Sequence, residues 1–186
     1  MSPRLRLDLV LNDFVASAIT TGEIRVLSNG MPWRPLIHVR DMARAVDWAI
    51  TRPADHGADY LIVNAGSDAW TWRVGEMAEA VAGQIPGVSM SINRDAPADK
   101  RSYRVDFGLF RRLAPLHQPT EELGPSILEM KSALHTYFAA NGPDVSRLIR
   151  LRVLTGLAEQ GRLNSDLTWA HTLPLQSEQL ATAGRL

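Results

Sequence analysis

One stretch constrains this chain more than any other: Gly30-Met31-Pro32-Trp33-Arg34-Pro35-Leu36-Ile37-His38-Val39-Arg40-Asp41-Met42-Ala43-Arg44-Ala45. Pro32 and Pro35 remove two backbone donors and fix two φ angles, so Trp33 and Arg34 are held extended and cannot join a helix. Leu36, Ile37 and Val39 then read as a short buried strand, with His38 on its other face. Asp41 is placed to N-cap a helix running from Met42 to Ile50. An arginine on a proline-stiffened segment presents a planar fork to a phosphate at little entropic cost. The plainer alternative is a surface arginine in front of an ordinary strand.

The remaining pattern alternates helices and strands. Asp8 to Thr21 has apolar residues at helical spacing and Gly22 to stop it. Asp8 and Asn12 sit four apart, on one face of that helix. Ile24 to Leu27 reads as a strand and Ser28-Asn29-Gly30 as a turn. Tyr60 to Val63 is continuously apolar, as a buried parallel strand is, and ends in Asn64-Ala65-Gly66. Thr71 is placed to cap a helix with Val74, Met77, Ala78 and Val81 on one stripe. Val88 to Ile92 reads as a half-exposed strand, and Ser102 to Val105 as a short extended piece. Asp106 is placed to cap a helix with Phe107, Phe110 and Leu113 inward. Helices over 125–139 and 145–160 follow, the second capped by Asp144, and the residues from His171 on show no period. The expected fold is α/β.

Several segments together carry a resemblance. The pattern G-x-x-x-R-P-hydrophobic-hydrophobic-H-V-x-D-x-A-x-A at Gly30 to Ala45 resembles the substrate-domain signature of the extended short-chain dehydrogenase/reductases, the NAD-dependent nucleotide-sugar epimerases and dehydratases. Ser2 to Asn12 resembles the segment after that family's catalytic core. Asp99-Lys100-Arg101-Ser102-Tyr103-Arg104-Val105-Asp106 resembles its later D-x-R-x-Y-x-V-D segment, and Gly161 to Trp169 the tail of one bacterial branch. The resemblance implies the C-terminal strands of a doubly wound, Rossmann-like sheet plus a small helical substrate-binding domain over residues 1–169, with 170–186 a loose tail. It implies diphosphate contacts from Arg34 and Arg101, with Arg94 or Arg104 as alternatives to the latter. It sets Asn12 beside the sugar and Asn64 at a strand end facing the ligand crevice. Each has a structural alternative: a solvated helix face for Asn12, a loop bond for Asn64, and arginine stems covering apolar surface.

What is missing bears equally on function. A dinucleotide turn needs glycines that let the backbone approach the pyrophosphate, and no Gly-x-Gly occurs among the 13 glycines. The family's base pair is Tyr-x-x-x-Lys, but Tyr60, Tyr103 and Tyr137 are followed four positions on by Asn64, Phe107 and Asn141. The chain therefore reads as the half that follows the catalytic core, with NAD belonging to the parent family and none expected for this chain alone. Its expected partners are a nucleotide-sugar and either the missing N-terminal half or a homologous subunit. A non-catalytic interaction module or inert truncated product is the alternative, and a reductase of a non-sugar substrate a third.

Composition narrows the rest. Twenty basic and twenty acidic residues give zero net charge, which argues against nucleic-acid or anionic-membrane partners. No cysteine is present, which excludes disulfides, thiolate nucleophiles and cysteine-ligated zinc. The five histidines lack ligand spacing, no serine sits in an elbow-like glycine context, and no long apolar run occurs. A cytoplasmic location is the expectation.

Overall fold

The computed structural model describes residues 5–97, 99 and 101–170. Ser2 to Arg4 of the first family-like segment, Lys100, and residues 171–186 of the expected tail lie outside the described residues. One compact unit runs to Pro143 and a second begins at Asp144.

In the first unit α1 (Val10–Thr20) leads into β1 (Glu23–Val26), which pairs in parallel with β4 (Ser89–Ile92), Ile24 opposite Met90. β2 (Trp33–Pro35) pairs antiparallel with β3 (Thr71–Arg73), Arg34 opposite Trp72. The helices α2 (Val39–Thr51), α3 (Val74–Gln84), α4 (Gly108–Leu113) and α5 (Leu123–Asn141) complete the unit. The class is α/β, with one parallel and one antiparallel strand pair among the described residues.

The expected stripes form the core. Val74, Met77, Ala78 and Val81 on α3 are all buried, together with Val15 on α1, Ile24 on β1, and Ile127 and Leu134 on α5. A second cluster joins Trp48 on α2 to Phe110 and Ala114, with Leu61 and Val63 packed partly against it. The Trp48 and Phe110 rings meet edge to face, 5.5 Å between centroids.

The proline segment departs from expectation. The strand is Trp33–Pro35 itself, not Leu36 to Val39, because its partner β3 supplies bonds only there. Val74 N donates to Pro32 O and Leu36 N to Trp70 O, so the ladder is continued by neighbours that still carry N–H groups. Thr71 accordingly lies in β3 and caps nothing; α3 starts after Arg73, whose amide donates to Glu76 Oε2 at 2.9 Å. Asp41 is not the N-cap of α2. That place is His38, whose Nδ1 accepts from Arg40 N at 3.2 Å. Asp41 sits in the first turn, 1% exposed, and its carboxylate accepts from the amides of Thr120 (2.9 Å) and Glu121 (3.2 Å). A buried carboxylate is tolerable where such donors meet it.

Tyr60 to Val63 is the other departure. The stretch is extended but joins no strand, and residues 59–66 form no backbone–backbone hydrogen bond among the described residues. Leu61 and Val63 face inward, whereas Tyr60 and Ile62 are 79% and 75% exposed. It is covered on one face only, because no strand lies alongside it. Gly66, at φ +155°, ends the stretch; a Cβ there would meet the Phe107 ring at 2.5 Å, so only glycine fits.

In the second unit, Asp144 caps no helix: its Oδ1 accepts from Ser146 N at 2.8 Å, just ahead of the short turn Ser146–Leu148, whose N-cap is Val145. The helix α6 is Arg150–Glu159, and an isolated bridge pairs Leu163 with Trp169.

Candidate functional site

The arginines gather on β2. Gly30, at φ +80°, passes so close to Gly75 that its carbonyl accepts from Gly75 N at 2.9 Å, which fixes the entry of β2 beside α3. From β2, Arg34 Nη2 reaches Asp99 Oδ2 at 2.7 Å, while Nη1 donates to the carbonyls of Trp33 and Arg101, each at 2.8 Å. Asp99 also accepts from Arg101 N at 2.9 Å and Arg101 Nε at 3.1 Å. One carboxylate thus bridges two guanidinium groups. The Arg101 hydrogen bonds, with Arg34 behind them, hold the Asp99 carboxyl well below the usual carboxylate range, and Asp99 in turn raises the Arg101 guanidinium. Ser102 Oγ completes the link by accepting from Trp33 N at 3.1 Å.

Two further arginines stand over Trp33, with Arg73 Cζ 4.9 Å and Arg104 Cζ 5.0 Å from its ring centroid. Next to Pro35 opens a cavity of about 310 Å³, lined by residues 35–37 and 63–65 and by Tyr103, Val105 and Phe107. Three segments therefore line one concavity, and Arg34 and Arg104 each neighbour a lining residue in the chain.

The sequence-derived residues fall into two groups. Arg34 and Arg101 meet through Asp99, and Asn64 lines the neighbouring cavity with its amide 3.4 Å from the Asp106 carbonyl. Asn12 lies on α1, where its amide donates to Arg6 O at 2.8 Å; it shares no hydrogen bond or lining position with the other three. The bridging role of Asp99 and the stack on Trp33 were not read from the sequence. Both depend on pairings across many residues, for which the only local sign is Ser102 and Arg104 alternating on an extended segment.

Residues 2–66 match the model of the NAD dependent epimerase/dehydratase family. Among solved structures the chain is similar to TunA, an NAD-dependent NDP-hexosamine 5,6-dehydratase involved in tunicamycin biosynthesis, with a TM-score of 0.57 at 18% identity. The alignment covers 70% of this chain and 41% of that one, so the chain spans about two fifths of that structure's length. The likeness establishes a Rossmann-like epimerase/dehydratase fold. No curated protein matches.

NAD-dependence is in the name of both the family and the dehydratase. β1 runs through the Ser28–Gly30 turn into another strand, and β4 into the loop before α4; neither parallel strand passes through a glycine-rich turn into a helix. Among the described residues no group of His, Asp or Glu is arranged to hold a metal, and no helix is long and apolar enough to cross a membrane.

Proposed function

We propose that this chain is the substrate-binding part of an NAD-dependent nucleotide-sugar epimerase or dehydratase, and that it works with an NAD-binding, tyrosine-bearing part supplied from elsewhere. The observation that carries this reading is the Arg34–Asp99–Arg101 bridge on β2, whose last residue, Pro35, lines the cavity. A diphosphate offers what Asp99 now supplies, anionic oxygens for two guanidinium forks, and it would exchange with Asp99 on Arg34 Nη2. Arg101, whose side chain is 84% exposed, would take the second phosphate, and Asn64 would face the sugar from the cavity wall. Asn12 belongs to this reading only if the sugar reaches α1.

The test is calorimetry with UDP-glucose and, separately, NAD. Arg34→Ala should weaken UDP-glucose binding about ten- to a hundredfold, from a charged hydrogen bond worth roughly 1.5–3 kcal/mol, and Arg34→Lys should fall between. Unchanged binding in Arg34→Ala would remove the basis of the assignment. NAD should bind the isolated chain only weakly, and sub-micromolar NAD affinity would refute the division of labour.

A second reading, a non-catalytic interaction module, is favoured by one observation. Val39, Met42, Val46 and Ile50 on α2 are all half or more exposed, as are Tyr60 and Ile62. Activity recovered on adding an NAD-binding half would favour the first reading, and stable association without turnover the second.

A further inference from the structure

His38 stands at the joint between the β2 segment and α2, and one of its ring nitrogens faces two partners of opposite demand. Nδ1 accepts from Arg40 N at 3.2 Å, the bond that caps α2. The same Nδ1 lies 3.9 Å from Glu121 Oε2. To accept from an amide, Nδ1 must be bare, so in the capping state two acceptors face each other with no hydrogen between them. A proton on Nδ1 reverses both relations at once. The ring can no longer accept from Arg40 N, and it becomes a cationic donor to the carboxylate. The His38 side chain is 15% exposed and that of Glu121 25%, so solvent screens this pair less than one on an open surface.

Glu121 is held firmly enough to serve as the second partner. Its amide donates to the buried Asp41 carboxylate at 3.2 Å, and its carbonyl accepts from Trp70 Nε1 at 2.7 Å. Its Oε2 also accepts from Arg40 Nη1 at 3.1 Å, while Arg40 pairs with Glu129 on α5 at 2.9 Å. The charged groups around the ring are therefore Arg40 and Asp41 on its own helix, Glu121 ahead of α5, and Glu129 on α5. Trp70, its ring 6.4 Å from that of His38, brings no charge, and Asp68 on the same turn pairs with Arg111 instead. Asp41 and Glu121 stand against the single guanidinium of Arg40, itself shared with Glu129, so the cluster can accept a second cation.

We propose that His38 is a proton-operated switch at the start of α2: neutral, it caps the helix through Arg40 N; protonated, it lets that amide go and pairs with Glu121. Imidazole is the side chain that ordinarily changes charge between about pH 5 and 8. Residues 35–37, immediately before His38, line the cavity, so the exchange of partners takes place where the cavity wall turns into the helix. The switch is independent of which ligand the β2 face takes.

The experiment follows the Arg40 amide and the His38 ring nitrogens by NMR in the full chain, from about pH 8 to about pH 5, with exchange corrected for intrinsic rates. In the parent, Nδ1 should take up its proton as Arg40 exchange speeds up about fivefold, the loss of one cap bond. His38→Asn keeps a capping oxygen and has no proton to gain, so its Arg40 amide should stay slow throughout. Glu121→Gln removes the carboxylate that favours the charged ring, so the midpoint should move to lower pH than in the parent. His117→Gln, at the histidine 3.5 Å from Asp47 further along α2, should leave the Arg40 transition in place. Thermal melting shows which variants are folded, and His38→Asn decides the matter if Glu121→Gln melts early. An Arg40 amide equally slow at both ends of the range, a transition that persists in His38→Asn, or a midpoint unmoved in folded Glu121→Gln would overturn the switch.

Discussion

The two sides of the first unit are finished to different degrees. On the β2–β3 side, the backbone is paired, Arg34 has two carbonyls and a carboxylate, and even the Trp33 amide has the Ser102 hydroxyl. On the side formed by α2 and residues 59–66, the extended backbone is unpaired, and six large apolar side chains face outward. Both sides flank the same short chain segment, from Trp33 through His38 into α2. The difference is one of closure: the arginine face is held by bonds within the chain, while the apolar face leaves large apolar side chains exposed.

The largest effect that sharpens this contrast lies beneath the apolar face. Phe110→Ala would empty the ring that meets Trp48 and supports Leu61 and Val63, at a cost of about 3–5 kcal/mol. Ile62→Ala, one residue from both yet pointing outward, should stay within about 0.5 kcal/mol. Chemical denaturation of both variants checks the pair, and a comparable loss in each would mean that the outer face is covered after all. Next in size is self-association. The chain alone should be dimeric or aggregated, and Val46→Glu combined with Ile62→Lys should shift it toward monomer in sedimentation. A monodisperse parent with sharp melting would contradict the unfinished face. Asp41→Ala should come third, at about 1–3 kcal/mol, because it leaves the Thr120 and Glu121 amides without their acceptor.

What could be read from the sequence was what local pattern decides. The α1, α3 and α5 stripes declare themselves through 3.6-residue spacing, and Gly22, Gly142 and Gly161 all take the positive φ that ends a helix. Asp41 was misread because any aspartate before a helical run looks like a cap, while its actual donors come from some eighty residues away. β2 was misplaced because a strand's limits are set by its partner, and β3 begins 36 residues after β2 ends. Tyr60 to Val63 looked buried on both faces because four apolar residues in a row cannot distinguish one neighbour from two. At the site, Arg34 and Arg101 came from motif likeness, but the bridge between them passes through Asp99 and is visible only in three dimensions.

The smallest expected effect concerns that bridge and tests whether the arginine side really is self-sufficient. Asp99 is held below the usual carboxylate range first by the Arg101 side chain, then by the Arg101 amide, with Arg34 contributing. A group whose folded value is depressed adds stability that is fully present above its unfolded value, about 3.9, and is lost as pH falls through the folded one. The bridge should therefore stay closed from about pH 9 down past pH 5 and release only in strong acid. Its contribution is modest, because Arg101 is exposed and screened by solvent. Amide exchange at Arg101 to Arg104, followed against pH after correction for intrinsic rates, reports the release. Asp99→Asn should show fast exchange there at every pH and no acid transition. Release of the 101–104 segment with a midpoint near an ordinary carboxylate value would mean that Asp99 is not held between the arginines, and the β2 face would then be as unfinished as the one beside it.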